Sequence, residues 1–87
     1  MTRVSRDVGH TVSMALTILR KIYELEEQGI APATTFLANE LGKHISVFKR
    51  YRDALERLGL IEVVPEGNRN LVRLTERGRC VAKCLLG

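Results

Sequence analysis

Glycines at positions 29, 42, 59 and 67 cut the chain into short runs, each with its own hydrophobic period. Before Gly29, the apolar residues Val12, Met14, Ala15, Leu16, Ile18, Leu19, Ile22, Tyr23 and Leu25 recur at three- and four-residue intervals. That period predicts a helix over 11–28. The segment 30–33 reads as an extended linker, because Pro32 disfavours helix at Ala31. A second short helix over 36–41 takes Thr34 or Thr35 as its cap and stops at Gly42. A third, about 45–58, has Phe48, Tyr51, Leu55 and Leu58 as its buried stripe and closes at Gly59. Two apolar, β-branched runs then flank the turn formers Pro65-Glu66-Gly67-Asn68, which predicts a β-hairpin over 61–74. Thr75 caps a last helix over 76–86. The order helix, helix, helix, hairpin, helix describes a mainly α domain with a small β-hairpin over 11–87. Residues 1–10, with only Val4 and Val8 at helical spacing, form an N-terminal arm or a frayed helical start.

The chain has 87 residues, enough for one core of three or four helices and too few for a cleft between two domains. No apolar run approaches the roughly 20 residues of a membrane span. The start lacks the apolar stretch of a signal peptide, so a cytoplasmic location is expected. The formal charge is +4, and its distribution says more than its size. Residues 1–42 hold four basic and five acidic side chains; residues 43–87 hold ten basic and five acidic. All the excess positive charge lies in the second half. Ten of the fourteen basic residues are arginine, whose forked donors suit phosphates and guanine edges.

No phosphate-binding glycine loop, nucleophile elbow or grouped acid pair with a nucleophile is present, so the chain does not read as an enzyme and no cofactor is expected. Cys80 and Cys84 lie four apart on a helix, a spacing that strains an intrahelical disulfide. With only His10 and His44 elsewhere, they match no recognised metal-ligand spacing. They read as two small buried helix residues or as a bridge between subunits. His44, in a polar turn, reads as an ordinary turn residue before it reads as a pH sensor.

Three short motifs stand in order. Phe36-Leu37-Ala38-Asn39-Glu40-Leu41-Gly42 looks like the "x-L-A-x-x-L-G" second helix of winged helix-turn-helix proteins. Leu58-Gly59-Leu60-Ile61 is similar to the "L-G-L-I" that closes their recognition helix, and Leu74-Thr75-Glu76-Arg77-Gly78 to the "L-T-x-x-G" that follows the wing. Over about residues 12–82 the chain resembles this family, in particular prokaryotic and archaeal MarR-like and PadR-like small regulators. The segment Phe48-Lys49-Arg50-Tyr51 is also similar to archaeal winged-helix chromatin-type proteins. The chain departs from the pattern after Gly42, where Lys43 and His44 precede the apolar Ile45 and a possible cap at Ser46. It departs again at Arg52, in a place often held by Leu, with Tyr51 supplying the core contact instead.

The resemblance implies double-stranded DNA as partner and promoter occupation, most often repression, as mechanism. The residues of the third helix fit DNA independently. At 100° per residue, Ser46, Lys49, Arg50, Asp53 and Arg57 oppose the buried stripe, and the N-terminal half of that face is basic. Lys49 and Arg50 are the candidates for base-edge or phosphate contact, with Ser46, Lys43 and His44 beside them and Arg57 further along. The competing reading is a solvated face held by i,i+4 pairs Lys49–Asp53 and Asp53–Arg57. At the hairpin tip, Asn68 and Arg69 reach the backbone or minor groove, with Arg73 directed outward along the strand. Thr34 and Thr35 are candidates for a phosphate contact, with helix capping the safer account.

The apolar arc of the first helix spans roughly 200°, twice what a one-sided surface helix needs. A homodimer is therefore expected, with Met14, Ile18 and Leu25 facing the partner together with Val81 and Leu85. Leu16 and Tyr23, on the other edge, belong to the core. No small-molecule effector is expected. Two other readings remain open: a chromatin-type architectural protein with little sequence preference, and a winged-helix protein-interaction module.

Overall fold

A computed structural model describes the backbone of residues 2–86 and the side chains of residues 12–84. Helices α1 (Thr2–Glu27), α2 (Thr34–Glu40) and α3 (Ile45–Arg57) are followed by strands β1 (Ile61–Glu66) and β2 (Arg69–Leu74) and helix α4 (Glu76–Leu86). This is the expected order. The backbone of residues 2–10, expected as an arm or a frayed start, lies within α1. Among the described residues no helix is long and apolar enough to cross a membrane.

Strands β1 and β2 pair antiparallel, from Ile61 opposite Leu74 to Glu66 opposite Arg69. That register leaves Gly67-Asn68 as a two-residue turn, and Gly67 has φ +61°, where a residue with a Cβ is strained. The linker before α2 does more than span a gap. Ala33 forms an isolated antiparallel bridge with Leu71, and the Val72 N–H donates to the Pro32 carbonyl at 2.9 Å. The outer edge of β2 is thus held by the chain entering α2.

The core draws on every element. Ile18, Leu19 and Ile22 of α1 meet Leu37 of α2, Phe48 and Leu55 of α3, and Val72 of β2, all buried. Helix α4 joins through Ala82 and, half-buried, Val81. Its direction follows from Glu26 near the end of α1. One carboxylate oxygen accepts from Arg79 at 3.0 Å and the other from the Leu74 N–H at 2.9 Å. From that point α4 folds back along α1 and covers its flank.

This packing corrects the expected dimer surface. Ile18 is 0% exposed and Leu25 6%, so both belong to the core of the chain itself. Met14 and Val81 are half-buried against that core, as is Tyr23. Leu85 lies outside the residues whose side chains are described. The reason is that α4, assigned to the partner surface, covers part of the wide arc from within the same chain. Leu58, expected in the buried stripe of α3, is 60% exposed and forms its C-cap. Cys80 and Cys84 are free and exposed, not buried.

Two of the sequence motifs are halves of one joint. The Thr75 hydroxyl donates to the Gly59 carbonyl at 2.6 Å and accepts from the Gly78 N–H at 3.0 Å, capping α4 as expected. The Thr75 N–H donates to the Leu60 carbonyl at 3.1 Å. Gly78 sits so close that a Cβ there would lie 1.8 Å from the Leu60 carbonyl oxygen. A glycine is required at position 78 because α4 starts in contact with the backbone that leaves α3.

Candidate nucleic-acid interface

Helix α3 buries Phe48 and Leu55 and presents Ser46, Lys49, Arg50, Asp53 and Arg57 to solvent. The helix begins one residue before the expected cap. His44 is the N-cap, its Nδ1 accepting from the Ser46 N–H at 3.2 Å, with the Ser46 hydroxyl 2.8 Å from the same nitrogen. Ser46 is therefore the partner of the cap and not the cap. An acceptor on the His44 ring substitutes for the usual Ser or Thr oxygen at an orphan amide. Lys43 is half-buried in the turn, its N–H donating to the Ala38 carbonyl.

The competing account of the α3 face as a row of i,i+4 ion pairs fails on geometry. Asp53 is taken by its neighbour Arg52, whose Nε and Nη2 donate to the same carboxylate oxygen at 3.2 and 3.1 Å. Among the described residues neither Lys49 nor Arg57 makes an ion pair with it.

Arg52 is the residue whose part the sequence did not disclose. Its Nη1 donates to the Thr34 hydroxyl at 3.2 Å, and that hydroxyl donates to the Asn70 carbonyl at 3.1 Å. One side chain of α3 is thereby tied to the first residue of α2 and to the wing near its tip. These bonds correct the capping account of the threonines. The N-cap of α2 is Ala33, with no side-chain bond, and Thr34 is buried as the link in this chain. Thr35 is exposed beside it. A signal was present in the sequence: an arginine in a place often apolar needs partners when half-buried.

The arrangement opens a cleft of about 210 Å³ between α2, α3 and the wing, lined by Thr34, Thr35, Lys49, Arg52, Asn68 and Arg69 among others. Lys49, Asn68, Arg69 and Thr35 are thus brought together as expected, and Arg52 is added to them. Arg73 is not. It lines a separate groove of about 440 Å³ behind the wing, with Glu26 and Glu66 at the end of α1 and along β1. The strand alternation that turns Arg73 outward also turns it towards that groove.

Known proteins share this fold. Protein AF1382 of Archaeoglobus fulgidus superposes with a TM-score of 0.79 at 25% identity, covering 83% of this chain and 79% of that one. MepR of S. aureus, solved as a DNA complex, superposes with a TM-score of 0.73 at 15% identity, covering 98% and 77%. The chain is a winged helix-turn-helix protein. The sequence resemblance to this family is thereby borne out. In sequence, the iron-dependent repressor IdeR of Mycobacterium tuberculosis is 39% identical over 64 residues, 74% of this chain. Those residues are 26% of the repressor, so the winged-helix chain spans about a quarter of the curated relatives it matches. No protein-family model matches the chain.

Proposed function

We propose that the chain is a sequence-specific, double-stranded-DNA-binding transcriptional regulator that represses by occupying a promoter site. In this reading α3 lies in the major groove and Arg69 at the wing tip meets the backbone or the minor groove. The observation that carries it is the cleft that Lys49 of α3 lines together with Arg69 of the wing, with Arg50 exposed on the same helix and neither Lys49 nor Arg50 paired with Asp53 among the described residues. The identity to a protein named as a repressor and the likeness to one solved on DNA support it. The name of that repressor also mentions iron. Among the described residues no three His, Cys, Asp or Glu side chains are placed to hold a metal, and iron has no part in this reading.

The regulator acts as a homodimer. Helix α1 has 26 residues against 11 in α4, so at about 1.5 Å per residue it outruns its cover within the chain. Val12, with 51% of its surface in water, lies in that stretch, and Met14 is close by on the half-buried side. The partner-facing surface is thus moved towards the N-terminal part of α1 and away from Ile18 and Leu25. A two-fold pair would place two recognition helices at half-sites about one helical turn apart.

The test is selection from a random-duplex pool at two salt concentrations. A two-fold symmetric motif is the expected result. Enrichment of a single half-site would overturn the dimer. Uniform, salt-sensitive binding would make the chain an architectural protein, and no binding would leave a protein-interaction module.

Two variants test the interface. Lys49→Ala with Arg50→Ala should weaken binding by roughly 1–3 kcal/mol for each base edge left unread and relax the motif, with little change in thermal midpoint. A double variant that binds every duplex as tightly as wild type does would remove α3 from the groove. Arg69→Ala should reduce the slope of log affinity against log salt by about 0.9 for one phosphate left unneutralised. An unchanged slope with unchanged affinity would take the wing out of the interface.

A further inference from the structure

The cleft between α2, α3 and the wing is unusual among the surface features of this chain in its charge. Its lining carries Lys49, Arg52 and Arg69 and, among the described residues, no carboxylate. Two of the three cations sit on flexible stems at the surface, whereas Arg52 is held. Its side chain is 13% exposed, against 50% for Asp53. Of the five N–H donors of a guanidinium, three are used on Asp53 and Thr34. Two are left on a group that lines the cleft, in an orientation set by both partners.

The position of the cleft identifies what enters it. In a B-form duplex one sugar–phosphate strand separates each major groove from the neighbouring minor groove. With α3 in the one and the wing tip in the other, that strand passes between them, where the cleft opens. We infer that the cleft seats one backbone phosphodiester of the duplex, and that Arg52 supplies the fixed charge at its floor and, through Thr34, holds the wing at the spacing the strand requires. The inference rests on the DNA-binding reading above and adds a residue and a ligand group to it.

The physical advantage lies in pre-organisation. A lysine reaching for a phosphate gives up rotamer freedom on contact, but Arg52 has already given it up in folding. The same hydrogen-bond chain that fixes its head runs on to the Asn70 carbonyl, beside Arg69. Removal of Arg52 therefore deletes a charge and loosens the wing together, and a test has to separate the two.

The experiment uses the duplex recovered from the selection, with each phosphate replaced in turn by a neutral methylphosphonate. For the wild type, one position per half-site should weaken binding by roughly tenfold or more, the size of one charge-assisted hydrogen bond. In Arg52→Met the same replacement should have little further effect, and the salt slope should already be lower by about 0.9 per subunit. A wing that is merely loose would leave the methylphosphonate penalty of every phosphate unchanged, and that result overturns the inference. Should Arg52→Met not fold, judged by far-ultraviolet circular dichroism, the comparison passes to Arg52→Lys. That variant keeps the charge but not the fork, and the penalty at the same phosphate should fall between those of wild type and an uncharged side chain. An undiminished penalty again overturns the inference.

Inorganic phosphate separates two sources of the same chemistry. At constant ionic strength, millimolar phosphate in place of chloride should leave the thermal midpoint of the free protein unchanged. A midpoint raised by phosphate in wild type but not in Arg52→Met, with no phosphate of the duplex coupled to Arg52, would assign the cleft to free phosphate and overturn the duplex reading. If the wild type binds no duplex at all, the DNA-binding proposal fails and this inference with it. If it binds a duplex with no phosphate coupled to Arg52, only the inference fails.

Discussion

Ile18→Glu is expected to leave the chain unfolded at room temperature, with loss of the far-ultraviolet helical signal. Ile18 has no exposed surface and packs within the cluster that joins α1 to the other elements. An ionised carboxylate there has no partner, and the cost of burying it runs to several kcal/mol. The whole stability of a chain this long is about 4–13 kcal/mol. Two comparisons on the same helix give the result its meaning. Ile18→Val removes one methyl group and should cost roughly 0.5–1.5 kcal/mol. Val12→Glu changes a side chain already half in water; within the monomer it should alter stability by less than about 0.5 kcal/mol. A folded, helical Ile18→Glu monomer would return Ile18 to a partner-facing surface and refute the packing of α1.

Gly78→Ala should destabilise the chain by about 3 kcal/mol, at the upper end of overpacking. The ordinary rule for a helix points the other way, since alanine in place of glycine favours a helix by roughly 1 kcal/mol. Here the added Cβ would meet the Leu60 carbonyl oxygen at 1.8 Å and the Leu60 carbonyl carbon at 2.8 Å. Both atoms are backbone, so no side chain can swing aside. Relief requires α4 to move off the segment between α3 and β1, which stretches the bonds from Thr75 to Gly59 and Leu60. A urea titration read by circular dichroism measures the change. A midpoint at or above that of wild type would show that the joint between Leu60 and Gly78 is looser than described.

The joint also explains why the two motifs around it are legible. Leu58-Gly59-Leu60 and Thr75-Glu76-Arg77-Gly78 are each a local pattern: a helix end and a helix start. The structure bears out both, as it does the hairpin and its turn. What no local pattern contains is that Thr75 binds the carbonyl of Gly59, sixteen residues earlier.

The candidate site divides the same way. Lys49, Arg50 and Arg69 follow from helix projection and turn position, and they stand exposed on α3 and the wing as expected. Arg73, selected on strand alternation, points instead to the groove shared with Glu26. Alternation assigns a face but not what lies opposite it. Thr34 has the sequence position of a cap, because a threonine before a helix satisfies an orphan amide; here tertiary contact with Arg52 and Asn70 takes its hydroxyl instead.

The sequence by itself determined the elements, their order and the asymmetry of charge. These depend on interactions within a few residues, where period, capping and turn chemistry act. Only the tertiary structure decided which surface of α1 is covered, since an apolar arc records how much must be buried and not by whom. The cluster formed with α2, α3, the wing and α4, which folds back from the contact between Glu26 and Arg79, made Ile18 and Leu25 part of the core of the chain itself. Only the tertiary structure decided the role of Arg52 as well. Its charge stood out in the sequence, but its partner Thr34 lies eighteen residues before it, and Asn70 lies thirty-six residues after Thr34. Hydrogen bonds of that reach come into being only once the core has brought α2, α3 and the wing together.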